Sequence, residues 1–221
     1  MSILRRLFRR TQSRPISQDG GPSRAQPDEA EENRAIANDP VRFADSVRRE
    51  VFALRSDDAD LELCPSDEQC ERLSITPEQR EACRREFVLM RGLGACMFVG
   101  KNLPPAYYKT FKAEICGIVA QMQFGVPTES RVRDISDAID RYVEELQNET
   151  PTGFSLTYLE RVYSGNPHIE GMFFGTIFLP AFQLAMTFFK GVRQLFCMLR
   201  FGVPYEVLEA LNGAPEQRES E

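Results

Sequence analysis

The chain has 221 residues, 42% of them hydrophobic and 27% charged, which is enough length and apolar content for one folded domain with tails and too much for a wholly disordered chain. Its net charge of −6 conceals a polarity: residues 1–24 hold six arginines against one aspartate, about +5, so the remainder carries about −11. An acidic body with a basic head excludes a body that grips nucleic acid, because phosphate neutralisation needs lysine and arginine clustered on the binding face.

Read as a helix, residues 1–10 place Ile3, Leu4, Leu7 and Phe8 on one face and Arg5, Arg6, Arg9 and Arg10 on the other. This basic amphipathic segment is too short for a membrane span or a signal-peptide core, and Ser2 excludes N-myristoylation. It suits an anionic membrane surface. The polar, proline- and glycine-containing stretch that follows has no periodicity and reads as a flexible linker, so residues 1–37 form a head and disordered linker.

Asp39-Pro40 is a helix-start signal, followed by Phe43, Val47, Val51 and Leu54 on one side. Residues 56–73 are acidic and read as a loop. Thr76-Pro77-Glu78-Gln79 repeats the start signal with a capping box and predicts a helix to about Arg91. Gly92-Leu93-Gly94-Ala95 has neither the third glycine nor the preceding strand of a dinucleotide loop, so it reads as a helix interruption or a close helix packing. A further helix from Pro105 carries Tyr107, Phe111, Ile115, Ile118 and Met122, and stops at Phe124-Gly125-Val126-Pro127. Glu114 falls near its polar side and is expected to be solvated. Residues 129–147 form an amphipathic helix whose face of Val132, Ile135, Ile139, Tyr142 and Leu146 opposes Asp134, Asp137, Glu144 and Glu145.

The second half echoes the first. Thr76-Pro77, Met97-Phe98, Leu103-Pro104 and Phe124-Gly125-Val126-Pro127 recur in order as Thr150-Pro151, Met172-Phe173, Leu179-Pro180 and Phe201-Gly202-Val203-Pro204. The expected fold is therefore an all-α helical bundle over residues 38–212, with helix-hairpin units at 76–127 and 150–204 joined by the amphipathic helix, a disordered N-terminal tail and a disordered acidic tail at 213–221.

Met172 to Phe189 has no charge and is near the length that crosses a bilayer, but Pro180 and Gln183 interrupt it and the matching stretch of the first unit is charged. It reads as a buried core helix. Where the chain itself does not cover them, Phe173, Phe174, Phe178, Phe182, Phe188, Phe189 and Phe196 are the candidate interface for a partner or ligand.

Catalytic chemistry has little to work with. His168 is the one histidine, set in the turn-rich run Ser164-Gly165-Asn166-Pro167-His168. The six cysteines read mainly as buried thiols; Cys64 and Cys70 could pair, and their spacing is too long for an ordinary zinc knuckle. No metal and no cofactor is expected. The reading is a non-enzymatic interaction or scaffold protein, cytoplasmic and peripherally membrane-associated through its head, with a protein partner or a homo-oligomer as its assembly. The alternative is a carrier holding a lipid or other apolar ligand between the two hairpins.

Overall fold

A computed structural model of the chain describes residues 27–54, 64–147, 151–166, 169 and 179–213. Among the described residues there are nine α-helices, one short 3-10 turn and no strand. The helices are α1 (Pro27–Asn38), α2 (Pro40–Glu50), α3 (Asp67–Leu73), α4 (Pro77–Asn102), α5 (Pro105–Phe124), α6 (Glu129–Gln147), α7 (Pro151–Tyr163), α8 (Leu179–Phe201) and α9 (Tyr205–Gly213), with the 3-10 turn at Phe52–Leu54. The basic head, residues 170–178 and residues 214–221 lie outside the described residues, and with them Ile3 to Arg10, His168, Phe173, Phe174 and Phe178.

Start and stop chemistry sets most boundaries. The Asp39 carboxylate accepts from the backbone N–H of Val41 at 2.9 Å and of Arg42 at 3.1 Å, and Pro40 takes the first helical position of α2. At α4, Thr76 and Gln79 exchange reciprocal bonds, 3.2 Å to the Thr76 hydroxyl and 3.1 Å to the Gln79 side chain. Helices α5 and α8 end alike, on Gly125 at φ +73° and Gly202 at φ +74°, whose N–H groups donate to Gln121 and Met198.

Two stretches expected to be irregular contain helix. Residues 27–37 read as linker, yet Pro27–Asn38 forms α1, because Ala37 and Ile36 pack on the core, the Tyr107 hydroxyl donates to the Ala37 carbonyl at 2.9 Å and Arg200 donates to Asn38. Tertiary docking supplies what the local pattern lacks. Within the expected 56–73 loop, Ser66 and Gln69 form a second capping box that opens α3.

Helix α4 is the axis of the molecule. It runs unbroken through Gly92 and Gly94 to Asn102, and every residue from Glu86 to Cys96 is buried. Helix α5 folds back along it: Gly100 faces Tyr108, Gly92 faces Ile115 and Val119, and Gln123 donates to the Arg85 carbonyl at 2.6 Å, an antiparallel register. A Cβ on Gly92 would stand 2.8 Å from a Val119 methyl. On the other side α8 comes closer still, for a Cβ on Gly94 would lie 2.2 Å from the Ala185 carbonyl oxygen and 2.8 Å from the Phe189 nitrogen. Both glycines are therefore close packing points, not helix breaks.

The expected second hairpin differs from the first. Helix α7 stops at Tyr163 and packs on α6 and α4, whereas the principal neighbour of α8 is α4. One edge-on ring contact, Phe154 to Phe182 at 5.6 Å, joins α7 to α8.

The turn after α7 is anchored by Asn166, 3% exposed, whose side-chain nitrogen donates to the carbonyls of Leu73 and Ser74 and to Gln79 at 3.1–3.2 Å. It joins the second half of the chain to the loop that starts α4. Replacing Asn166 by alanine removes this donor from the half-buried Leu73 and exposed Ser74, whose carbonyls water can reach, and is expected to cost about 0.5–1.5 kcal/mol, read as a lower midpoint in urea unfolding.

Candidate functional site

The aromatic residues of α8 turn toward the chain's own helices. Phe188 is 3% exposed and meets Phe52 edge-on at 5.7 Å, with the Arg91 guanidinium over its face. Phe189 meets Phe98 at 5.8 Å, and Phe196 lies 5.5 Å from Phe43 and 5.6 Å from Phe98. Phe182, Phe189 and Phe196 keep part of their surface open. Buried positions Ala181, Leu184, Ala185, Phe188, Val192, Leu195 and Leu199 form one stripe at helical spacing, so α8 is amphipathic over its described length. No described helix is long and apolar enough to cross a membrane.

A wide opening lies elsewhere, on α5. A groove of about 890 Å³ runs between the end of α2 and the start of α6, with Phe52, Ala53, Ile118, Met122 and Val132 among its walls. Arg48 and Glu114 are exposed at its polar margin, as expected for Glu114, and buried Arg91 reaches it from α4. Arg91 is held by a 3.3 Å bond to the Phe52 carbonyl. Gly117 sits in the floor, and a Cβ built there meets nothing within 4 Å. The side-chain spacing on α5, with Ala113 and Gly117 small and Ile118 and Met122 large, leaves a channel where an apolar body can approach the backbone. The sequence reading missed this groove; its visible signal was the alanine and glycine four residues apart on one face of an otherwise bulky helix.

A second depression of about 530 Å³ lies between α4, α6 and α7. At its floor is Glu86, its side chain 4% exposed, which accepts from the Tyr142 hydroxyl at 2.6 Å and from Arg161 Nε at 2.8 Å. Burial, and then the Glu86 charge, hold the Tyr142 hydroxyl well above its ordinary pKa. For Arg161, burial opposes the charged form but Glu86 outweighs it, so the guanidinium is held more firmly protonated than usual. Around the rim, Arg85 pairs with Glu81, Arg141 pairs with Glu160 at 2.5 Å, and the Phe124 ring lies between the guanidinium groups of Arg85 and Arg131 at 5.0 and 4.5 Å. These cations are matched by carboxylates or rings, which makes this depression a polar clamp joining three helices. Among the described residues the buried carboxylate is thus Glu86, which sits with Cys83, Phe87 and Met90 on one stripe of α4.

The thiols follow their surroundings. Burial pushes Cys96 well above the usual thiol range and Cys116 up to about 11. No group of three or more histidine, cysteine, aspartate or glutamate side chains among the described residues is arranged to hold a metal ion.

Fold and surfaces together define an all-α protein wrapped around one buried helix, with an open apolar groove on one flank and a charge-matched clamp on another. The chain matches no family model, no curated protein and no solved structure.

Proposed function

We propose that the protein is a non-enzymatic interaction or scaffold protein that takes an apolar helical face of a partner chain, or of a second copy, into the groove over α5. The observation behind this reading is the open floor at Gly117, flanked by Ile118, Met122 and Phe52, which admits a helix to close backbone contact. The basic amphipathic head, Ile3 to Arg10, brings the protein to an anionic membrane surface. One short amphipathic segment binds weakly, so assembly through the groove supplies the second contact that makes attachment durable. The repeat of landmarks in units 76–127 and 150–204 is read as an ancient duplication whose second copy has diverged in packing.

The groove volume of about 890 Å³ also falls in the range of small-molecule pockets, which favours a carrier of an apolar ligand as the second reading. Native mass spectrometry of the gently purified full-length protein and of Gly117→Leu separates the two. Oligomers or a stoichiometric partner chain lost in Gly117→Leu support the interaction reading, and lipid-sized adducts lost in that variant support the carrier. A bare monomer, or assemblies unchanged by filling the groove, overturns the role assigned to it. Deleting residues 1–14 should abolish partitioning onto phosphatidylserine-containing vesicles at low salt; undiminished partitioning overturns the role of the head.

A further inference from the structure

Spacing alone allows Cys64 to pair with Cys70, six residues on. The tertiary structure offers another. The Cys70 thiol turns back to the Pro65 carbonyl, at 3.7 Å, within its own turn. Cys64 instead lies against the second turn of α4, in one wall with Arg80, Glu81 and Arg84, and shares the buried cluster that holds Cys83, to which its side chain hydrogen-bonds. Behind Cys83 stand the hydroxyls of Tyr158, 3.3 Å from the sulfur, and of Tyr163, both on α7. The two thiols are unequal in access: Cys83 is 1% exposed and Cys64 8%, and Cys64 forms part of the wall of an open pocket of about 280 Å³ lined also by Cys70, Arg80 and Arg84. All six cysteines stand as thiols.

We propose that Cys64 and Cys83 are an oxidation site for hydrogen peroxide, Cys64 being the thiol that meets the oxidant and Cys83 the thiol that resolves it into an intramolecular disulfide. In the first step the Cys64 thiolate attacks one peroxide oxygen, the O–O bond breaks, hydroxide leaves and Cys64 becomes a sulfenic acid. The Cys83 thiolate then attacks the sulfenic sulfur, the S–S bond forms and a second hydroxide leaves. The two hydroxides take up the two thiol protons, so two thiols and one peroxide give one disulfide and two waters. In the reduced pair the hydrogen bond from Cys64 draws the Cys83 thiol below its ordinary pKa and burial opposes this; the Tyr158 and Tyr163 hydroxyls add to the lowering and remain in place once Cys64 is oxidised. The pocket is wide enough for peroxide, and on its wall Arg80 pairs with Asp67 and Arg84 with Glu81.

Peptide mapping of the full-length protein, treated with a few equivalents of hydrogen peroxide and then alkylated, tests this directly. The expected product is a peptide pair linked through Cys64 and Cys83, cleaved by dithiothreitol, with Cys96, Cys116 and Cys197 still alkylated after unfolding. Cys70→Ser should leave the link intact. Cys83→Ser should stop the reaction at a Cys64 sulfenic acid captured by dimedone. A Cys64–Cys70 link in the wild-type protein, a wild-type Cys64 sulfenic acid that persists beside an alkylatable Cys83, or six alkylatable thiols after treatment would each overturn the assignment, and none of these readings depends on the variants folding.

Discussion

Gly94→Ala is expected to destabilise the protein and Gly117→Ala to stabilise it, although both place the same methyl group in the interior of a helix. Helix propensity alone favours alanine at both positions by about 1 kcal/mol. At Gly117 nothing opposes that gain, since a Cβ there has nothing within 4 Å, so a net rise of about 0.5–1 kcal/mol is expected. At Gly94 the methyl would enter the Ala185 carbonyl at 2.2 Å and the Phe189 nitrogen at 2.8 Å, atoms of backbone that no rotamer change can move. Helices α4 and α8 must separate or shift, and since overpacking typically costs about 1–3 kcal/mol, the upper end applies and outweighs the propensity gain. The net loss should be about 2 kcal/mol, which for a protein of this size lowers the thermal midpoint by roughly 4–8 °C. Thermal scans of the two variants beside the parent decide it; equal shifts of the same sign would mean that α8 does not cross α4 at this glycine.

Glu86→Leu should be the more damaging change. Arg161 would lose the carboxylate that holds it at 2.8 Å, and the Tyr142 hydroxyl would lose its acceptor at 2.6 Å in a buried setting. Breaking one side of a buried pair costs about 3–5 kcal/mol, and because the Arg161 side chain is 33% exposed and can rehydrate, about 2–4 kcal/mol is expected here. Glu86→Gln keeps an acceptor for Tyr142 and should cost less. Adding Arg161→Leu to Glu86→Leu should recover part of the loss, because the uncompensated charge is gone; a double-mutant cycle with no coupling between 86 and 161 would rule the clamp out as a unit. The same network has a pH signature. With its pKa raised in the folded state, Tyr142 keeps its proton where the unfolded chain releases one, above about pH 10. The unfolded state then binds fewer protons, so this contribution is complete below that pH and is lost as pH rises through the alkaline range, and Tyr142→Phe should flatten that part of the curve.

How much of this was readable beforehand divides by range. Signals that act within four or five residues were legible: the Asp39-Pro40 and Thr76-Gln79 starts, the two Phe-Gly-Val-Pro stops and the amphipathic α6 all stand where the pattern placed them. Signals that depend on a distant partner were not. The stretch at 27–38 lacks a strong apolar face and becomes helix only by docking on α8, while Ser66-Gln69 is a local signal that the acidic composition around it obscured. The sequence marks Met172 to Phe189 as a buried helix, and only the structure shows α4 buried at every residue from Glu86 to Cys96 while α8 keeps an open side.

The sequence alone therefore determined the class and the punctuation of the chain: a helical protein with a basic head and an acidic body, cut into segments by capping residues, prolines and glycines whose effects are local in the backbone. Tertiary structure decided the rest. Gly92 and Gly94 became contact points because two other helices close on α4 from different sides, and Glu86 became buried because Arg161 and Tyr142 arrive from α7 and α6. Local backbone preferences act over one turn and can be read from neighbouring residues, whereas burial and charge pairing depend on groups far apart in the chain, whose meeting is set by how the helices pack.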